Sequence, residues 1–215
     1  MSAVVDWGRV DYPIAWERMR RLHAERASGR VADTLVLVEH PPVVTVGVEG
    51  DDGSAASAGV PVYRVERGGK STYHGPGQLV GYPIVDLGPR GHDVRAFVHD
   101  VETVLIDTLR EFDLVGRHVP SRRGVWIAGE RKVASIGIAV ERWVTFHGFA
   151  LNVDVDLAAF GRIQPCGFDG RVMTSMAREL GRPISLPEVR PVVRERWAEV
   201  LGRPGPARSI PVPPA

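Results

Sequence analysis

Apolar and polar residues follow two periods along this chain, and the switches between them mark its elements. Ile14, Ala15, Met19 and Leu22 recur at helical spacing among Arg and Glu over residues 12–28, with Gly29 as a stop. Residues 34–40 (TLVLVEH) are a buried-strand run, halted by Pro41 and Pro42 before a second run at 43–47 (VVTVG). Residues 49–61 are small, polar and Gly-rich, and are read as a flexible loop near the working face. A strand is predicted over 62–66, then a loop over 67–78 and a returning strand over 79–87. Asp93 is placed to cap a helix over 94–112, whose apolar stripe includes Phe97, Val101, Val104, Leu105 and Leu109. Residues 124–140 read as a β-hairpin turning near Gly129, and 143–155 as a further strand. A short helical piece, a turn at Pro165-Cys166-Gly167 and a helix near 172–180 come next. Ser185 and Glu188, at capping-box spacing, open a last helix that ends near Gly202 and contains Pro191.

Strands and helices in this mixed order predict an α+β (α/β) class: a single domain over 1–202 with a mixed, largely antiparallel sheet flanked by helices. The length of 215 residues fits one such domain. The tail, 203–215, is Pro-rich and predicted to be disordered. A formal net charge of +1 points to neither nucleic acid nor a membrane surface as partner. No run approaches the roughly 18 apolar residues of a membrane span. The N-terminus lacks a basic start and an apolar h-region, so a cytoplasmic protein is expected.

Cys166 is the only cysteine, which leaves no internal disulfide and no Cys-rich zinc cluster; no metal ligand set is assigned. Such a cysteine is either a buried free thiol or a nucleophile. Lys70 and Lys132 are the only lysines in a chain that otherwise uses arginine. Lysine can lose its proton, which the guanidinium cannot, so a lysine kept in this background points to that chemistry.

Two nucleotide motifs fail. Gly69, Lys70 and Ser71 fit the end of a P-loop, but Arg64 stands where its first glycine belongs. GPGQLVG at 75–81 is one residue too long for a dinucleotide fingerprint and precedes a strand. What remains is four segments dense in glycine and polar residues: 67–74 (RGGKSTYH), 132–137 (KVASIG), 147–150 (HGFA) and 165–167 (PCG). Glycine lets backbone approach a ligand closely. Each segment alone also fits a tight turn.

Taken together, HPPVVTVG (40–47), RGGKSTYHGPGQLVGYP (67–83), GVWIAGERKVASIGI (124–138), HGFALNVDVDL (147–157) and IQPCGF (163–168) closely resemble the octanoyltransferases of lipoate biosynthesis, in order and from about residue 6 to about 200. Met173 and Met176 depart from that pattern, where Val and Leu are more usual around Thr-Ser. The resemblance implies the fold of biotin and lipoate protein ligases. It implies transfer of octanoyl from acyl-carrier protein to a lysine of lipoyl domains, in 2-oxoacid dehydrogenases and the glycine-cleavage H protein, with no cofactor of its own. Cys166 is then the nucleophile, and Lys132 the residue that takes its proton or stabilises its thiolate. The residues implied to line the substrate site are Arg67, Gly68, Gly69, Lys70, Ser71, Thr72, Tyr73, His74, Ser135, Ile136, Gly137, His147, Gly148, Phe149 and Ala150. Their backbone N–H groups are candidates for an oxyanion hole. Lys70 falls at a variable position of the pattern and carries no catalytic role. His74 and His147 are open between substrate-orienting or proton-relay roles and turn residues.

Other classes are an ATP-dependent ligase of the same fold, a cysteine hydrolase and a non-catalytic acyl-binding module. A ligase needs no cysteine nucleophile. Asn152, the only asparagine, precedes Cys166, against the order of papain-like hydrolases.

Overall fold

The computed structural model describes residues 2–50, 59–162 and 170–202. Cys166, most of the loop predicted at 49–61 and the predicted disordered tail therefore lie outside the described residues.

Ten strands and four α-helices follow one another in mixed order: β1 (Ala3–Arg9), α1 (Tyr12–Ala27), β2 (Thr34–Glu39), β3 (Val43–Val46), β4 (Val62–Arg64), β5 (Ser71–His74), β6 (Gln78–Ile84), α2 (Val94–Arg110), β7 (Gly116–Val119), β8 (Arg122–Ile127), β9 (Arg131–Glu141), β10 (Val144–Asn152), α3 (Met176–Leu180) and α4 (Leu186–Val200). Seven strands make the main sheet in the order β1-β2-β6-β10-β9-β8-β7, and β4-β3-β5 make a small second sheet. Among the described strands only β1–β2 and β3–β4 pair in parallel, and the other strand pairs are antiparallel. The predicted α+β class and flanked, largely antiparallel sheet are what the chain forms. Among the described residues no helix is long and apolar enough to cross a membrane.

Helices cover both faces of the main sheet. Ala15 and Met19 of α1 pack with Val36, Val38, Val80, Tyr82 and Phe146 on one side. On the other, Phe97, Val101, Leu105 and Leu109 of α2 and Val189, Val193 and Trp197 of α4 pack with Leu35, Leu79, Phe149 and Leu151. The buried stripe of α1 is Tyr12, Ala15, Met19 and His23, whereas Ile14, predicted to face the core, is exposed. His23 ends the stripe usefully: its Nε2 lies 3.2 Å from the carbonyls of Glu141 and Val144, at the turn between β9 and β10.

The predicted caps form. Asp93 accepts from the Ala96 N–H at 2.9 Å, and the Glu188 carboxylate accepts from the N–H and hydroxyl of Ser185. The hairpin at Gly129 also forms: Ile127 pairs with Arg131, the Glu130 N–H donates to the Ile127 carbonyl, and Ala128 and Gly129 between them both have positive φ, as a primed turn requires. Three strands went unread. β5 falls in the segment predicted as a loop, and β1 and β7 are edge strands.

One close approach pins the sheet where the site is built. Gly148 pairs directly with Gly137 across β10 and β9, and a Cβ at Gly148 would overlap the Gly81 carbonyl and the Pro83 ring. Backbone cannot yield as a flexible side chain can. Gly148→Ala is therefore expected to lower stability by about 1–3 kcal/mol, read as a lower urea midpoint at unchanged slope.

Candidate active site

The cleft opens beside that glycine pair. Its walls are Tyr12, Arg67, Gly68, Gly69, Thr72, His74, Val80, Tyr82, Ser135, Ile136, Gly137 and residues 147–150, around about 460 Å³ of empty space that includes the open mouth. Three of the four glycine-dense segments thus meet at one place, from β5 and the loop before it, from β9 and from β10. Lys70 is exposed outside the wall. Ser71 and Tyr73 are buried but also outside it, because alternation in β5 sends Thr72 and His74 to the cleft and Tyr73 to Phe160, 5.5 Å away edge-on. Tyr12, Val80 and Tyr82 are wall residues that sequence reading missed. Val80 and Tyr82 alternate along β6 directly after the TYHGPGQ segment, a signal that was available; Tyr12 carried none.

The loop at 67–69 is clamped onto β9. The Gly68 N–H donates to the Ile138 carbonyl, and a Cβ at Gly137 would stand 2.8 Å from the Gly68 oxygen, so glycine permits the contact. The Gly69 N–H donates to the Glu49 carboxylate at 2.8 Å, and Arg123 reaches the same oxygen at 3.0 Å. These two bonds hold the Glu49 carboxyl below its ordinary range, the backbone N–H first. The N–H groups of Gly68 and Gly69, candidates for an oxyanion hole, are thus already bonded within the protein.

A buried hydrogen-bond chain runs from the cleft wall toward β9. Buried Arg67 donates to the hydroxyl of Thr45 at 2.9 Å and to its carbonyl at 2.8 Å. The Thr45 hydroxyl faces His74 Nε2 at 3.4 Å, and His74 Nδ1 lies 2.7 Å from Gln78 Oε1. Gln78 uses its amide nitrogen on the Tyr73 carbonyl and on Asn152 Oδ1, so its oxygen must accept. His74 is therefore protonated on Nδ1 and accepts at Nε2. Burial, together with nearby His40, lowers its pKa to about 3. Both ring nitrogens are engaged, which makes His74 a fixed neutral link.

His147 differs. It sits mid-strand with φ +55°, a left-handed conformation costly for a side chain of its size. Burial lowers its pKa although Glu66 opposes this. The neutral ring donates from Nε2 to Glu66 at 3.1 Å, which leaves Nδ1 as an acceptor with no partner among the described residues. This bond, with help from Arg20, holds the Glu66 carboxyl down at about 2.

Lys132 stands apart from the cleft wall, three residues before Ser135 on the same strand. It is buried, with Nζ 5.5 Å from the centre of the Trp126 ring. Trp126 pairs with Lys132 and Val125 with Ala134, so Val133 is an extra residue, a bulge that re-aims the side chains around it. Gly124, at φ +107°, makes room: a Cβ there would come within 2.9 Å of Lys132 Cε. The Lys132 carbonyl accepts from Thr174 N–H at 2.9 Å, and Met173 bridges to Lys132 in parallel. Met173 and Thr174, six and seven residues past Gly167 in sequence, are thereby fastened to this lysine's backbone. Asn152 donates to the Thr174 carbonyl at 2.9 Å, so the hydrogen-bond chain from His74 ends there.

Fold and site together define a class. Residues 11–198 match the Lipoyl protein ligase A/B catalytic domain family. A solved lipoate-protein ligase A bound with ATP superposes with a TM-score of 0.73 at 18% identity, over 98% of this chain and 90% of that one. A biotin protein ligase from Aquifex aeolicus gives 0.52 at 12%, over 94% and 69%. These likenesses show the fold. Within that class, octanoyltransferases from Geotalea uraniireducens and Acidothermus cellulolyticus are 44% and 45% identical to this chain. They cover 96% and 99% of it, and 96% and 98% of their own lengths. The chain belongs to the octanoyltransferase family.

The buried imidazoles set an acid limit on stability. His40, His74 and His147 all have pKa values lowered by burial from 6.5. The unfolded chain therefore binds protons first as pH falls, so their contribution is complete above about pH 6.5 and is lost toward the folded values. For His74 alone this amounts to about 2 kcal/mol by pH 5. Urea midpoints are expected to drop between pH 7 and pH 5; equal midpoints would mean that the rings titrate alike in both states.

Proposed function

We propose that this octanoyltransferase-family chain moves an octanoyl group from acyl-carrier protein to a lipoyl-domain lysine, through a thioester on Cys166. In the first step the Cys166 sulfur attacks the thioester carbonyl. A C–S bond to Cys166 forms, the bond to the phosphopantetheine sulfur breaks, and that thiol leaves with a proton. One thioester replaces another, so little free energy changes. In the second step the acceptor lysine amine attacks, a C–N bond forms, the Cys166 thiol is released and the amine gives up a proton. Thioester to amide is downhill, so no nucleotide and no other cofactor is required.

The observation that carries this reading is the buried Lys132, whose backbone pairs with Met173 and Thr174, seven and eight residues past Cys166, in a chain closely related to octanoyltransferases. A lysine in that position can stabilise a thiolate as ammonium, or accept a proton as amine. The acceptors are expected to be lipoyl domains such as those of 2-oxoacid dehydrogenases and the glycine-cleavage H protein. The cleft, with apolar Val80 and Ala150 in its wall, suits an alkyl chain.

Intact-mass measurement after mixing with octanoyl-carrier protein is expected to show one octanoyl adduct on the native chain and none on Cys166→Ser, which also loses transfer. Near-normal transfer by the serine variant would sink the covalent route. Lys132→Arg separates the two uses of the lysine: if a proton must be passed, single-turnover acylation and transfer both collapse, because guanidinium does not deprotonate. Near-normal rates in both steps would leave only an electrostatic role.

Chain-length preference probes the cleft independently. Each buried CH₂ contributes ~0.8 kcal/mol until the slot ends, and overpacking opposes any further carbon. Rates across a series of acyl-carrier thioesters are expected to peak near eight carbons. A flat profile would show that the acyl chain is not enclosed.

A further inference from the structure

Behind Lys132, away from the cleft, three metal-ligating side chains converge. His99 and Glu102 stand one turn apart on α2, on one face of the helix. His118 reaches them from the edge strand β7. One donor atom from each of the three lies within 4.8 Å of the other two. The rings of His99 and His118 meet edge-on with centroids 5.7 Å apart, and His118 Nδ1 is 2.6 Å from Glu102 Oε2.

The carboxylate is the unusual member. Glu102 is only 2% exposed, yet it projects from a helix whose neighbouring stripe is the apolar core. Burying a carboxylate is costly unless its charge is balanced. Among the described residues its partners are the Gly124 N–H, 3.1 Å from Oε1, and His118. The ring of His99 makes no hydrogen bond among the described residues, and both histidines are solvent-exposed.

We propose that His99, Glu102 and His118 bind a divalent transition-metal cation of the Zn²⁺ type. Two imidazoles and one carboxylate, with a fourth position left to water, are a donor set that Zn²⁺ and its neighbours in the series accept. Donors about 2.1 Å from a zinc ion stand roughly 3.4 Å apart in tetrahedral geometry. The 4.8 Å cluster therefore closes by rotation of the two exposed rings, while Glu102 stays fixed by Gly124. The ion takes the place of the proton between His118 Nδ1 and Glu102 Oε2, and the neutral ring then carries its proton on Nε2. None of the three residues lines the cleft. They still connect to it, since Glu102 holds the N–H of Gly124, the glycine against which Lys132 Cε packs. No linear motif announces such a site, because its third ligand follows the carboxylate by 16 residues on a different element.

The test is equilibrium dialysis of tag-free full-length protein, stripped with chelator, against Zn²⁺, with Co²⁺ absorption as a second readout. One equivalent per chain is expected, with d–d bands typical of a site with nitrogen and oxygen donors. Cys166→Ser is expected to bind equally well, which removes the thiol as an alternative ligand. His99→Ala is expected to weaken binding at least about tenfold, since even outer-shell partners of metal ligands are worth that much. The site of this change is exposed on α2, so folding is retained and circular dichroism checks it. His99→Ala/His118→Ala is expected to abolish binding. The proposal is overturned if the native chain binds no stoichiometric Zn²⁺, if binding is unchanged in His99→Ala, or if it disappears in Cys166→Ser.

Discussion

The side-chain amide of Gln78 is the joint on which the site depends, because it must donate and accept in fixed directions at once. Its nitrogen serves the Tyr73 carbonyl and Asn152, so its oxygen can only accept, and His74 can then carry its proton only on Nδ1. Asn152 passes the constraint to the Thr174 carbonyl, and the Thr174 N–H passes it to the Lys132 carbonyl. A glutamate in place of Gln78 would offer acceptors to a carbonyl and an amide oxygen, and an ionised His74 would confront the donors around Arg67. The network is satisfied only with residue 78 an amide and His74 neutral. Buried polar chains of this kind specify one arrangement strongly and tolerate partial satisfaction badly.

The second constraint is the absence of side chains where backbones must touch. Gly137 faces Gly148 across the sheet and also admits the Gly68 carbonyl, so one bare patch both seats the loop and opens the cleft. The left-handed turn of the chain at His147 lies next to this patch and costs conformational energy that the surrounding strands supply. Backbone touches backbone here, so the walls of the cleft cannot shift as flexible side chains would.

Much of this was legible in the sequence, for identifiable reasons. Strands buried on both faces, such as β2 and β10, show as apolar runs; helices with a wide stripe or a capping box, such as α2 and α4, show by period and end signals. β5 did not show, because Ser71-Thr72-Tyr73-His74 is polar in composition although every residue is buried, and the partners of His74, Thr45 and Gln78, lie on other elements. The edge strands β1 and β7 bury too little to leave an apolar run. Ile14 was assigned to the core of α1 on apolarity alone, whereas the buried stripe is continued by Tyr12, whose ring packs against His40, Tyr63 and His74, and by His23, whose Nε2 meets two carbonyls. The glycine-dense segments pointed to the cleft as a group, but alternation within β5 divides them: Thr72 and His74 face it, Ser71 and Tyr73 do not.

The fold alone leaves the chemistry open, since it is shared at under 20% identity with a lipoate-protein ligase solved with ATP bound. Glycine-rich turns receive phosphate through free N–H groups and a field that favours anions. Here the Gly69 N–H is already filled by a carboxylate of the protein itself, Glu49, which the same bond holds ionised, and the Gly68 N–H is filled by a strand carbonyl. The charge of Glu49 is balanced in turn by Arg123 at 3.0 Å, so the loop closes on the protein's own groups. That closure is a feature of the folded chain which the motif RGGKST, read alone, invites one to interpret the other way.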